Sequence, residues 1–114
     1  DGIIRTVAGT PVVRGYSGDG GNARDAVFDA PKEMAVDAAG NIFVVDTESH
    51  AIRLIDAATW VVTTIAGGRK SPGGDGGPAE AAGLARPHGV AIGPDGAAYV
   101  GDSENHRVRK LTRV

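Results

Sequence analysis

The sequence predicts an all-β fold from three observations. Glycine is abundant, with 18 residues among 114, which favours many tight turns. Only 4% of the residues are aromatic, so the core has to be built from Val, Ile, Leu and Ala. In addition, the chain contains one unit twice, in which short apolar stretches are separated by turn residues at regular spacing.

Two aligned stretches define the repeat. The run PKEMAVDAAGNIFVVDTESHAIRLID begins at Pro31, and PHGVAIGPDGAAYVGDSENHRVRKLT begins 56 positions later at Pro87. Upstream, RTVAG at Arg5 matches TTIAG at Thr63 with an offset of 58. Each aligned run is preceded by a glycine-rich connector, GDGGNARDAVFDAP or GDGGPAEAAGLARP. Residues 1–114 are therefore predicted to form a single domain of two repeats, about 1–58 and 59–114.

Each unit is predicted to contain four short antiparallel strands. In chain order these are 34–37 and 90–92, 42–45 and 97–100, 51–55 and 107–111, and 61–66 with its counterpart 3–8. The first two strands of each unit are separated by the turn sequences DAAGN and PDG, which supply glycine for positive φ. A nearly regular repeat of four strands is typical of a β-propeller with one blade per unit.

The first strand of each unit is predicted to lie innermost, next to the propeller axis. Met34-Ala35-Val36 and Val90-Ala91-Ile92 are apolar without alternation, which favours a strand covered on both faces. The glycine-rich phrases are then blade-to-blade connectors, and Pro78 is predicted to begin a short helical turn in the second.

The residues quoted above resemble NHL-repeat β-propellers of the longer bacterial type, and the resemblance covers essentially the whole chain. The chain departs from that pattern at Gly93, Gly101 and Trp60, where the family prefers Asp, Ala and a turn glycine. The resemblance implies a ring of six blades, whereas this chain supplies two.

Ring closure is therefore expected from a head-to-tail homotrimer, a heterologous contact that closes by rotation. In this interpretation Ile3–Ala8 of each chain completes the second blade of its neighbour by strand exchange. The alternatives are a piece of a longer single-chain propeller, a four-bladed dimer or an eight-bladed tetramer. The chain begins with Asp1 and not with Met, which favours a processed or excised product.

The composition argues against several classes of partner. The formal net charge is −2, so neither nucleic acid nor an anionic membrane surface is expected to bind. No apolar run approaches the length of a membrane span, and the chain has no cysteine, hence no disulfide or thiolate site. No cofactor is expected, and the sequence predicts no compartment.

Four residues at the end of the second strand and in the following turn are interpreted as structural: Asp46, His50, Asp102 and His106. The competing interpretation is an acid–base pair or a set of metal ligands. Their presence in both repeats favours the turn role, because an active site is seldom needed in every blade. Asp19 and Asp75 are likewise expected to be turn aspartates, since they lack the dense carboxylates of a calcium loop.

Lys32 and His88 are the ligand-binding candidates. Both follow the proline that opens an innermost strand, so both are expected near the mouth of the central channel. In a trimer, three copies of each would surround the axis and hold an anion, or His88 would hold a zinc ion. The family includes a peptide-amidating lyase with a metal near its axis, and the resemblance therefore keeps a metal-dependent lyase or hydrolase as an alternative.

Two further features have both structural and binding interpretations. Trp60, the single tryptophan, is expected to cover a neighbouring blade, with a protein-anchoring role as the alternative. The basic cluster Arg107, Arg109, Lys110 and Arg113 is expected to pack between blades rather than bind RNA.

The sequence predicts a non-catalytic scaffold that binds protein, peptide or a small ligand, and not an enzyme. The other alternative is a propeller fragment or engineered piece without an evolved function of its own.

Overall fold

The structure is a computed structural model that describes residues 2–113 as two antiparallel sheets joined by a connector. The first sheet has the order β1 (Pro31–Val36), β2 (Ile42–Asp46), β3 (Ala51–Ile55) and β4 (Val62–Gly67). The second contains β5 (Gly89–Ile92), β6 (Ala98–Asp102) and β7 (Arg107–Leu111). The predicted all-β fold is confirmed. We call β1–β4 the first blade and β5–β7 the second blade.

Helical structure within residues 2–113 is confined to single 3-10 turns. They span Ala23–Asp25, Thr47–Ser49, Ala79–Ala81 and Ser103–Asn105. None of the helices in this range is long and apolar enough to cross a membrane. The third turn begins immediately after Pro78, close to the predicted position.

The hairpin turns follow from side-chain acceptors and glycine. Asp37 accepts hydrogen bonds from the N–H groups of Ala39 and Asn41 at 3.0 and 2.9 Å, and Gly40 has a φ of 88°. Asp56 accepts in the same way from the turn that precedes β4, and the backbone N–H of Thr59 lowers the pKa of Asp56. Both turns stop one strand and reverse the chain into the next.

Two details of the strands differ from the prediction. β1 begins at Pro31 rather than Met34, and the pairing with β2 shifts at Lys32, which occupies a bulge. Residues 3–8, predicted as a strand, are not assigned to any strand, and Ile3 and Ile4 are exposed. A strand is defined by its hydrogen-bonded partner, and none of the seven strands pairs with this segment.

The main core lies between the two blades. One face of the first blade, with Phe43, Val45, Ile52 and Leu54, packs on one face of the second. The facing residues are Leu84, Val90, Ala98, Val100 and Leu111. Burying one such side chain stabilises the fold by about 1.5–3 kcal/mol, so this contact holds the blades together.

The opposite face of the first blade is only partly covered. The first connector packs on its outer strands, with Ala23 and Ala26 against Val44, Ile55 and Val62. The innermost strand is not covered on both faces as predicted, because Met34 and Val36 are 59% and 54% exposed. No other blade lies against that side of β1 in the part of the chain that the structure describes.

Candidate functional site

The predicted channel-mouth residues lie at the start of the two innermost strands. Lys32 occupies the bulge of β1, and His88 directly precedes β5, where its N–H donates to the carbonyl of Gly101 at 3.1 Å. Both residues are exposed. The two strands are neighbours, since Glu33 accepts from the N–H of Val90 at 3.3 Å.

The residues that the structure describes do not assemble a metal site. No group of three or more His, Cys, Asp or Glu residues suited to a metal ion occurs within residues 2–113. His88, the weak metal candidate, therefore has no ready set of co-ligands among the residues of its own chain that the structure describes.

Asp46 and Asp102 hold the connectors onto the blades. Each is fully buried, and each accepts a backbone N–H from a residue 17 positions earlier: Asp29 at 2.7 Å and Ala85 at 2.8 Å. These donors belong to the connector, whereas the sequence interpretation assigned them to the turn after the strand. Burial raises the pKa of Asp46, although the N–H of Asp29 and the guanidinium of Arg53 lower it.

His50 and His106 end the turns that follow. Both have left-handed backbones, with φ of 55° and 58°, and their N–H groups close the 3-10 turns. The Nδ1 atom of His50 also accepts the backbone N–H of Arg86 at 3.0 Å. His50 therefore joins the first blade to the connector that leads into the second.

Sequence reasoning missed the partner of these aspartates, which is an arginine on the third strand. Arg53 has no exposed side-chain surface and donates to Asp46 at 3.2 Å and to Asp19 at 3.1 Å. It also donates to the carbonyls of Ser17 and Val27, each at 2.7 Å. We call Asp19, Asp46 and Arg53 the first Asp–Arg–Asp cluster.

The second blade contains the equivalent cluster, in which all three residues are shifted by 56 positions. Arg109 bonds Asp102 at 3.2 Å and Asp75 at 3.0 Å. The signal was present in the sequence, because the three residue types recur at the same spacing. The guanidinium groups of Arg53 and Arg109 bind carboxylate oxygens of Asp19 and Asp75, respectively. This pairing favours a structural role for the two aspartates over a calcium site.

A second ionic group spans the two blades. Arg86, in the second connector, donates to Glu48 of the first blade at 2.7 Å and to Glu104 of the second at 2.9 Å. Its hydrogen bonds lower the pKa of both carboxyl groups, and Lys70 lies 3.5 Å from Glu104. The repeat could not predict this contact, because the counterpart of Arg86 is Ala30.

The remaining candidates have specific contacts of their own. The indole N–H of Trp60 donates to the carbonyl of Val7 at 2.8 Å, so it contacts the segment that was predicted to belong to a neighbouring blade. In the basic cluster, Arg107 pairs with Asp75 and Lys110 with Asp95, while Arg113 lies over the ring of Phe43. The respective distances are 3.2, 3.3 and 6.0 Å.

Comparison with known proteins identifies two matching family models. A model of the NHL repeat matches residues 84–111, and a model of the teneurin NHL domain matches residues 5–72. A search of curated proteins finds no match.

Solved structures with similar folds include three proteins from Bacteroides. A structural genomics protein of unknown function from Bacteroides thetaiotaomicron has a TM-score of 0.78 at 20% identity. An auxiliary nutrient binding protein from the same organism has a TM-score of 0.71 at 26% identity. Another auxiliary nutrient binding protein, from Bacteroides ovatus, reaches 0.73 at 26% identity. Each alignment covers 93% of this chain but only 26–28% of the other, so the chain spans about a quarter of their length.

Proposed function

The chain belongs to the NHL-repeat β-propeller family, and on this premise we propose that it is a non-catalytic binding module. We propose further that three copies associate head to tail into a six-bladed ring, in which each copy lends its N-terminal strand to its neighbour. The sequence predicts this strand at residues 3–8, and the counterpart of β4 is residues 4–9. The observation that carries the proposal is that the second blade has three strands within residues 2–113, against four in the first, which leaves its fourth-strand position vacant.

This vacant position is a groove of about 650 Å³ beside β7. Among its lining residues are Ala79, Ala82, Val100 and Leu111. In the first blade the counterparts of these four residues pack against Val62 of β4: Ala23, Ala26, Val44 and Ile55. The groove therefore has the shape and chemistry that hold a fourth strand in the first blade.

Residues 4–9 match the strand that the groove lacks. Ile4 is 98% exposed, whereas its counterpart Val62 is fully buried. Transferring the β3–β4 register places Ile4 opposite Leu111 and Thr6 opposite Arg109. Burial of Ile4 in this position stabilises the exchanged strand by about 1.5–3 kcal/mol.

The connector offers a second set of contacts to the same strand. In the first blade, Gly20 donates to the carbonyl of Val62 at 2.7 Å, and the N–H of Val62 donates to Gly21 at 3.1 Å. By the same geometry, Gly76 and Gly77 would bond the backbone of Ile4 from the next copy. The incoming strand is thus hydrogen-bonded on both sides, as a central strand is.

A binding role is supported by the chemistry of the candidate residues. Asp46 and Asp102 are buried and paired with arginine, which leaves neither poised as a general base. Lys32 and His88 remain exposed at the start of the innermost strands, where ring symmetry would gather three of each around the axis. That arrangement favours a small anion. Two structures with a similar fold are described as auxiliary nutrient binding proteins, which agrees with a binding role.

The assembly is tested by native mass spectrometry of two matched variants. Ile4→Asp places a carboxylate in the apolar groove, and we expect the mass to fall from three chains to one. Arg5→Asp introduces the same residue at the position of Thr63, which is exposed in β4, so the trimer is expected to remain. Equal behaviour of the two variants would contradict the exchange.

The channel-mouth assignment is tested by calorimetric titration with inorganic phosphate. We expect binding to the wild-type chain and its loss in the double variant Lys32→Ala/His88→Ala. Arg24→Ala removes an exposed cation from the connector and is expected to retain binding. Phosphate binding that survives in the double variant would show that the anion binds elsewhere, and absence of binding by the wild-type chain would contradict the anion site.

A further inference from the structure

We infer that a second surface, separate from the strand groove, joins neighbouring copies: the outward face of the second blade docks on the outward face of the first blade of the next copy. The outward face of a blade is the one turned away from the other blade of the same chain. This inference rests on the ring proposed above and names the blade faces that contact each other in it.

The contact between the two blades of one chain is the template. There, Phe43 and Ile52 of the first blade are 1% and 0% exposed, because they pack on the second blade. The face that receives them is formed by Leu84, Val90, Ala98, Val100 and Leu111. Every one of these positions has a counterpart in the other repeat.

The outward face of the first blade repeats the receiving surface. The counterparts of the five receiving residues are Phe28, Met34, Ile42, Val44 and Ile55. All five line an apolar groove of about 370 Å³, together with Val7 and Ala8. In the template, β4 residues Ile65 and Ala66, the counterparts of Val7 and Ala8, pack on the same cluster. The groove is therefore built to receive another blade.

The outward face of the second blade supplies the matching residues. Tyr99 and Val108 occupy the positions of Phe43 and Ile52, and they are 37% and 76% exposed. Lys110, at the position of Leu54, lies with its Nζ atom 5.7 Å from the centre of the Tyr99 ring. The face is more polar than its template, so we expect a weaker contact than the one within the chain.

Two polar contacts of the template also have counterparts. The Thr47 hydroxyl donates to the carbonyl of Pro87 at 2.8 Å, deep between the blades. The counterparts are the Ser103 hydroxyl in one copy and the carbonyl of Pro31 in the next. In the same way, the N–H of Ala30 would donate to Nδ1 of His106, as that of Arg86 does to His50.

The left-handed backbone at both donor positions supports this geometry. Ala30 has a φ of 56° and Arg86 a φ of 40°. Residues other than glycine are uncommon in this region, and here two such residues occur at equivalent positions. The shared conformation is the one in which the N–H of Arg86 reaches Nδ1 of His50 in the first blade.

The test uses two variants, each of which disables one face. Val108→Glu places a charge on the outward face of the second blade, and Met34→Glu does so on the first. Both residues are exposed in the single chain, so circular dichroism is expected to show unchanged folding. Val12→Glu, at a fully exposed loop residue, serves as the control and is expected to remain a trimer.

The inference predicts a single-chain mass for each variant alone and a two-chain mass for their equimolar mixture. In the mixture, the second blade of the Met34→Glu chain docks on the first blade of the Val108→Glu chain, because both of these faces are unchanged. The two remaining faces carry the introduced charges, so no third chain is added. A Val108→Glu chain that remains a trimer would overturn the face contact while leaving strand exchange intact. A Val108→Glu chain that pairs with itself would overturn the head-to-tail arrangement. A wild-type chain that is monomeric would contradict the ring itself.

Discussion

Arg53 is the residue whose replacement we expect to destabilise the protein most. Its guanidinium is fully buried and donates to two carboxylates and two backbone carbonyls. Arg53→Met keeps much of the side-chain volume but leaves Asp46 as a buried carboxylate without its counter-ion. Removing one partner of a buried ion pair costs about 3–5 kcal/mol. Against a typical total stability of about 5–15 kcal/mol, this loss brings the chain close to unfolding.

The matched control is Arg109→Met, which makes the same change in the second blade. Arg109 also pairs with a fully buried carboxylate, Asp102, but Asp102 keeps two other partners: the side-chain amide of Asn105 at 2.8 Å and the guanidinium of Arg107 at 3.7 Å. These partners compensate part of the loss. We expect a decrease of about 1–3 kcal/mol, typical of hydrogen bonds to charged groups. The free energy of unfolding is measured by urea denaturation, with the fluorescence of Trp60 as the probe and a fixed protein concentration.

A double variant separates the charge from the packing. Asp46→Asn removes the buried carboxylate, and in that background Arg53→Met is expected to cost clearly less than in the wild-type chain. A decrease of less than about 1 kcal/mol in the free energy of unfolding for Arg53→Met, below the range for a broken buried pair, would contradict the role of Arg53 as counter-ion. A larger decrease for Arg109→Met than for Arg53→Met would also contradict it.

Two further predictions concern single contacts. A hydrogen bond from Arg86 lowers the pKa of Glu48 below its ordinary value of 4.5. The stability gained from this pair is therefore present above that pH and is lost progressively as the pH falls through the lowered pKa. Arg86→Gln is expected to lower the midpoint of urea unfolding more at pH 7 than at pH 3, and an equal decrease at both would contradict the assignment. Gly67→Ala would drive a methyl group into the carbonyl of His50, whereas the methyl group of Gly76→Ala, at a similar positive φ, meets open space. Thermal unfolding should show a much larger decrease in melting temperature for Gly67→Ala. Equal decreases would mean that backbone strain alone, and not the contact with His50, causes the destabilisation.

The repeat explains why most of the strands were predictable. β3 and β7 begin and end where the sequence places them, because turn residues bound each apolar stretch in both copies. The innermost strand starts earlier than predicted, at Pro31, since the bulge at Lys32 lets the chain pair before its apolar residues begin. Residues 3–8 were predicted as a strand but are not assigned to one. An apolar pattern predicts the tendency of a segment to form a strand, but it does not predict whether a partner strand is present.

The ionic contacts were less accessible to sequence reasoning. Arg53 and Arg109 were visible as a repeated residue type, but only the folded chain shows that each reaches from its strand to a connector aspartate more than 30 positions earlier. Arg86 has no counterpart in the first repeat, and its two carboxylate partners come from different blades. Contacts that cross between repeats depend on how the blades stack, which is a property of the tertiary structure.

In the proposed ring, residues 4–9 of another copy fill the vacant position in the second blade. This strand exchange is tested by the mass of the wild-type chain, measured by native mass spectrometry over a range of protein concentrations. We expect a complex of three 11.5-kDa chains at micromolar concentration. A mass of one chain at every concentration would contradict the strand exchange.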